Sequence, residues 1–183
     1  ALKQLAYFLG YGALGIVVAL IAVYAWHLEG LPDLKVWHTA SLDAEFRAED
    51  AGKIRTIAGY RALEDRLFRQ LRLEVYDRIS AGDRNRLNRY HSGSLADPTA
   101  QKIDWNRTFE LGTADARGGI LLLHGISDSP YSMRALGERL HARGYHVLGL
   151  RFPGHGTAPS ALTRTNLQDL AAAVRLAARD LSQ

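Results

Sequence analysis

Residues 118–156 read GGILLLHGISDSPYSMRALGERLHARGYHVLGLRFPGHG, and the fold follows from this stretch. Residues 120–123 are a continuous apolar run between two glycines and His124-Gly125. An apolar run without alternation is what a parallel strand covered on both faces requires. Ser129-Pro130 then opens a helix, with Ser129 as cap and Pro130 at the first helical position. Met133, Leu136 and Leu140 give that helix an apolar stripe, and Gly144 ends it. Residues 145–150 form a second strand of the same buried type. Strand, helix and strand in this order predict a right-handed βαβ crossover in an α/β fold.

The pattern continues on both sides. Residues 108–111 are a candidate short strand, and 113–119 a turn. Downstream, RFPGHGTAPS (151–160) is a loop, and Thr165-Asn166-Leu167-Gln168 has capping-box spacing. The helix that follows carries Leu167, Leu170, Val174, Leu176 and Leu181. A further parallel strand is expected next. Strands buried on both faces need neighbours beside them and helices above and below. The parallel sheet is therefore expected to be incomplete as given, and completed by more of the same gene product or by a second polypeptide.

The amino-terminal run LAYFLGYGALGIVVALIAVYAWHL (5–28) contains no Asp, Glu, Lys or Arg. About 20 apolar residues suffice to cross a bilayer core as a helix. Tyr7 and Tyr11 lie near one end and Tyr24 and Trp26 near the other, where interfacial aromatics belong. A cleavable signal peptide is the rival reading, because Val23-Tyr24-Ala25 resembles a cleavage site. The run exceeds the usual apolar region of such a peptide, which favours a retained anchor. Lys3 before the span, with Glu29 and Asp33 after it, places the bulk of the chain outside the cytoplasm. The expectation is a single-pass protein of a bacterial inner membrane with its bulk on the periplasmic side.

Between span and sheet, residues 29–100 form a connector and a helical membrane-proximal segment. Ile54, Ile57, Tyr60, Leu63, Leu67, Leu71, Val75 and Ile79 recur at helical intervals. Gly52 and Gly59 are expected to break the run. Arg55, Arg61, Arg66, Arg69, Arg72 and Arg78 occupy the other faces, read as a solvated surface with Glu64, Asp65 and Glu74 as partners; contact with anionic lipid is the second reading. SAGDRNRLNRYHSGSLADPTAQ (80–101) is a polar loop expected to separate this part from the sheet.

Of 183 residues, 47% are hydrophobic and 23% charged, which is globular composition; the net charge is a modest +4 with no nucleic-acid motif beside it. No cysteine is present, which excludes disulfides, thiolate metal sites and a cysteine nucleophile within the chain. The seven histidines show no H-E-x-x-H spacing. The turn after Leu123 is neither G-x-G-x-x-G nor a P-loop.

His-Gly directly after a buried strand, then a helix, a second strand and Gly-His-Gly, resembles the first half of an α/β-hydrolase. It is similar to the bacterial carboxylesterase, monoacylglycerol lipase and lysophospholipase branch. The resemblance covers residues 109–182 and makes 101–183 the first half of a hydrolase core, preceded by an anchor over 1–28. It implies that the Ile126 N–H is one arm of an oxyanion hole, with His124 and Gly125 shaping the turn. It implies that Ser127 and Asp128 line the substrate pocket, and that Gly154, His155 and Gly156 support the site from the next loop. Ser127 or Ser129 as nucleophile is set aside in favour of loop and cap roles. The family's nucleophile lies in a G-x-S-x-G elbow, and no such motif occurs in this sequence. Serine, acid and base are all expected beyond residue 183. The implied activity is cleavage of carboxylic esters, lipid-derived ones given the anchor, without metal or cofactor. The implied partners are membrane lipid, an ester substrate and the remaining part of the hydrolase domain, and not nucleic acid. A non-catalytic, hydrolase-like membrane subunit or scaffold is the alternative.

Overall fold

The computed structural model describes residues 1–182. The chain forms two compact units, Ala1–Leu34 and the part from Lys35 onward. In the first, α1 (Leu2–Glu29) is one helix of 28 residues with none buried. At 1.5 Å per residue it is about 42 Å long. It is long and apolar enough to cross a membrane.

The second unit contains α2 (Val36–Thr39), α3 (Ile57–Glu74), β1 (Phe109–Leu111), β2 (Gly119–Leu123), α4 (Arg134–His141), β3 (His146–Leu150), α5 (Pro159–Leu162) and α6 (Leu167–Leu181). The strands form one sheet in the order β1-β3-β2. β2 and β3 run parallel, with Leu121 opposite Leu148. β1 runs antiparallel to β3, with Phe109 opposite Gly149. The sheet is thus mixed rather than wholly parallel. The short connection 112–118 is too brief for a parallel crossover, which needs a dozen or more residues. β3 is buried along almost its whole length. β2 is not buried on both faces: it is an edge strand, and Leu123 is 40% exposed. No strand lies beyond it among the described residues.

Helices cover both sides of the sheet. Leu148 and Leu150 pack with Ile57, Tyr60 and Leu63 of α3 and with Ala172, Ala173, Leu176 and Ala177 of α6. On the other side Val147, Leu122 and Phe109 pack against Met133 and Leu140. α3 therefore shares a core with the strands, and no boundary falls at residue 100. The apolar stripe from Ile57 to Ile79 is buried. The helix itself is shorter than its stripe. Thr56 caps it, its hydroxyl accepting the Gly59 N–H at 3.1 Å, so Gly59 lies in the first turn of α3 and breaks nothing.

Two helices meet the sheet through small residues as well as leucines. In α4 it is Gly137 that meets the sheet, while Leu136 is 49% exposed. In α6 the alanines pack inward and Leu167 points to solvent. The cause is close approach. Cβ atoms added to Gly149 and Gly137 would lie 2.1 and 3.1 Å from the Phe109 ring, so the two glycines form the slot that the ring fills. The cap of α6 falls one residue later than the Thr165 spacing indicated. Asn166 accepts the Asp169 N–H at 3.0 Å, and the Asp169 carboxylate accepts the Asn166 N–H at 3.1 Å. Ser129 occupies the cap position of a 3-10 turn over Pro130–Met133, but its hydroxyl makes no capping bond.

Gly149→Ala drives a methyl into the Phe109 ring and is expected to cost about 1–3 kcal/mol of stability. Gly52→Ala, where an added Cβ meets nothing within 4 Å, is expected to stay within about 0.5 kcal/mol. Urea denaturation of the two variants in mild detergent, followed by tryptophan fluorescence, measures the contrast.

Candidate functional site

The turn after β2 is fixed by two imidazoles. His124 is buried. Its Nε2 accepts the Phe152 N–H at 3.1 Å, so the ring proton sits on Nδ1 and is donated to the Gly125 carbonyl at 2.8 Å. Burial pushes the His124 pKa down and favours this neutral form. The Gly125 carbonyl also accepts the Asp128 N–H at 3.1 Å. His155, equally buried, has Nδ1 2.9 Å from the Pro153 carbonyl and Nε2 2.6 Å from that of Ile126. The shorter contact is an Nε2–H donated to the Ile126 carbonyl. The carbonyls of Gly125 and Ile126 are thus tied down. The N–H groups of Gly125, Ile126 and Ser127 have no protein acceptor among the described residues. Backbone dipoles held in this way can meet a developing negative charge without reorganising.

Ile126, Ser127 and Asp128 line a cleft of about 700 Å³, together with Gly154, His155 and Gly156. Its opposite walls come from Arg89, Tyr90, Trp105, Asn106 and Leu162. Trp105 stacks on Tyr131 with ring centroids 5.2 Å apart. The Ser132 hydroxyl and the Ser129 N–H, the latter at 2.7 Å, hold the Asp128 carboxyl below its ordinary range. Among the described residues, neither Ser127 nor Ser129 bonds a histidine ring through its hydroxyl.

Beneath the cleft lies Arg151, 1% exposed. Its guanidinium donates to Glu45 at 2.8 and 3.1 Å, to Glu64 at 2.9 Å, and to the carbonyls of Phe152 and His155 at 3.2 and 2.9 Å. Glu45 also accepts the Gly154 N–H at 2.8 Å. Glu64 accepts the Thr108 hydroxyl at 2.7 Å. The Arg151 carbonyl accepts the Tyr60 hydroxyl at 2.8 Å. Burial opposes the charge of Arg151, but Glu45, with Tyr60 and Glu64, outweighs it and holds the guanidinium protonated. Burial raises the Glu64 pKa, against the attraction of Arg151. Two carboxylates face one guanidinium, so one carboxylate is in excess.

The residues singled out in the sequence therefore meet in one place. Ile126, Ser127, Asp128, Gly154, His155 and Gly156 share the cleft, and His124 and Gly125 form the turn behind it. Glu64 is corrected: it is buried under the site rather than solvated on α3. Glu45 and Arg151 escaped notice. A lone arginine after the apolar strand VLGL was the available signal, since a charge there needs a buried partner. Tyr90 escaped as well, because the polar loop reads as a spacer, and so did Trp105, which no motif marks.

No protein-family model matches the chain. Over 56 residues it is 43% identical to a thermostable monoacylglycerol lipase of Bacillus sp. (strain H-257), which is 31% of this chain and 22% of that protein. A solved structure from work on LipS and LipT, two metagenome-derived lipolytic enzymes, is 33% identical with a TM-score of 0.40, covering 45% of this chain and 33% of that one. The chain thus spans about a fifth of the curated lipase and a third of the solved structure. Part of this chain is related to lipolytic ester hydrolases.

Arg151→Met leaves two buried carboxylates without their cation and is expected to cost about 3–5 kcal/mol. For Glu64 the folded pKa lies above the unfolded one, so the folded state holds a proton that the unfolded chain has released. Its contribution to stability is full below the ordinary glutamate range and is lost as pH rises through the folded value. Denaturation of Glu64→Gln beside the parent at pH 5 and pH 8 should therefore show the difference shifting in the variant's favour at the higher pH.

Proposed function

We propose that the second unit carries the oxyanion-stabilising half of a serine hydrolase that cleaves carboxylic esters, lipid-derived esters in particular. The observation that carries this is the Gly125–Ser127 turn: the Gly125 and Ile126 carbonyls are bound by His124 and His155, its N–H groups have no protein acceptor among the described residues, and Ile126 and Ser127 line the cleft. The relation of part of the chain to a monoacylglycerol lipase supports the same chemistry.

In this reading a serine hydroxyl attacks the ester carbonyl, and the carbonyl oxygen becomes an oxyanion. The Ile126 N–H donates to it. Collapse expels the alcohol and leaves an acyl-enzyme, which water cleaves by the same route. His124 supplies no base, because both its nitrogens are committed to backbone groups. His155 uses its Nε2–H to hold the Ile126 carbonyl. No G-x-S-x-G occurs in this sequence. The nucleophile, its acid and its base come from hydrolase residues outside it, carried by the same gene product or a second chain, and the free edge of β2 is where their strand pairs. α1 serves as a single-pass anchor in a bacterial inner membrane, with the second unit on the periplasmic side. No cofactor, metal or nucleic acid takes part.

Fluorophosphonate treatment of the purified membrane protein, with every co-purifying chain weighed by intact mass spectrometry, tests the reading. An adduct is expected. A preparation that stays unlabelled beside a labelled control hydrolase would favour a non-catalytic scaffold instead. In a labelling preparation, Ile126→Pro deletes the donor and should lower kcat roughly 100- to 1000-fold. Ile126→Ala keeps the N–H and removes only an exposed side chain, so it should retain most of the activity.

A further inference from the structure

The loop over residues 84–95 has an inner half that is fully committed and an outer half that is not. Inside, Tyr90 is buried, stacks on Trp37 at 5.4 Å, and donates its hydroxyl to the Thr157 carbonyl at 2.9 Å. The Ser94 hydroxyl donates to the Asn88 carbonyl at 2.7 Å, and the Leu95 N–H to the Arg86 carbonyl at 3.1 Å. The second bond brings the stretches carrying Leu87 and Leu95 together. Outside, Leu87 is 78% and Leu95 64% exposed. Arg84, Arg86 and Arg89 stand around them, exposed and without an ion pair among the described residues. The neighbouring carboxylates are already engaged. Asp83 takes Lys35 at 3.2 Å and the Ser80 hydroxyl at 2.6 Å. Asp97 is buried and accepts the Gly93 and Thr99 N–H groups.

We propose that this loop is a docking surface for an anionic lipid bilayer, with Leu87 and Leu95 entering the headgroup region and Arg84, Arg86 and Arg89 binding lipid phosphates. Exposed leucines framed by arginines suit an interface that is apolar below and negative above. Nucleic acid fits less well. It would use the arginines, but bases need an exposed aromatic platform, and the loop's only aromatic besides His91, Tyr90, faces inward. The occupant also suits the rest of the chain, because α1 is able to cross a membrane. A chain so tethered presents its loop to lipid at high effective concentration, and stable membrane attachment generally needs two such signals. Leu87, Arg89 and Ala96 also line the cleft, so docking brings its mouth to the lipid surface. None of this depends on the hydrolase reading.

The chain has no cysteine, so Leu87→Cys gives one attachment point for an environment-sensitive fluorophore. The labelled full chain is placed in nanodiscs of phosphatidylcholine, alone or mixed with phosphatidylglycerol. The expected result is a blue shift, and quenching by nitroxide-bearing lipid, in the mixed discs only. Leu95→Cys should behave alike. Asp115→Cys, exposed in the 112–118 connection at the other end of β2, should not respond. Adding Arg84→Gln, Arg86→Gln and Arg89→Gln should lower the docked-to-free ratio by on the order of 100-fold at low salt, and salt should weaken docking in the parent. All three arginines are exposed, so the circular dichroism melt should be unchanged. Three results overturn the proposal: labels that stay in water in both lipids, a shift that ignores lipid charge or survives the triple substitution, or protection that requires a co-purified acidic protein.

Discussion

The second unit depends on one buried cation. A guanidinium out of water is stable only when nearly all its N–H groups are bonded and its charge is met. Arg151 satisfies this with partners far apart in sequence. Glu45 comes from the turn before α3, Glu64 from α3 itself, and two carbonyls from the loop after β3. The same carboxylate of Glu45 reaches the Gly154 N–H. The segment between α2 and α3 thus fixes the loop that carries His155, and His155 fixes the Ile126 carbonyl. A part of the chain with no chemistry of its own sets the geometry of the turn.

This arrangement explains what the sequence revealed and what it concealed. Period and punctuation were legible. Apolar runs bounded by glycine became β2 and β3, and the three- and four-residue stripe became the buried face of α3. Those signals are local, because burial of a face repeats at a fixed interval. Glu64 lies four residues after Tyr60 and three before Leu67, on the buried face of α3, and only Arg151, distant in the chain, makes the burial of a carboxylate there tolerable. Gly137 and Gly149 were not legible. Their meaning lies in the Phe109 ring that fills the space between them, and a pattern of leucines says nothing about which element comes closest. The antiparallel course of β1 followed from a connection length rather than from its residues.

The candidate site divides along the same line. His124, Gly125 and the Gly-His-Gly loop are near each other in sequence and form one motif-like set, so resemblance found them. Tyr90 and Arg89 reach the cleft from a segment whose composition reads as a spacer. That segment has almost no regular structure, yet its side-chain and backbone bonds are nearly all internal. Asx and serine bonds at Asn85, Asn88 and Ser94 replace a helix or strand as the source of order.

The chemistry available to these residues is stabilisation rather than attack. An imidazole that donates one nitrogen to a backbone carbonyl and accepts a backbone N–H at the other cannot take a proton from a nucleophile without breaking the second bond. His124 has that constraint, and its value is that it does not move. A fixed donor stabilises charge at no cost in reorganisation, whereas a mobile one must be ordered during the reaction. Burial of His124 serves this directly: lowering its pKa keeps the Nε2 lone pair available for the Phe152 N–H, so the strand ends of β2 and β3 stay joined across the site. Protonation at Nε2 would set two donors against each other and loosen the Gly125 turn. The same neutrality that disqualifies His124 as a base is what allows the turn to hold its N–H groups in place.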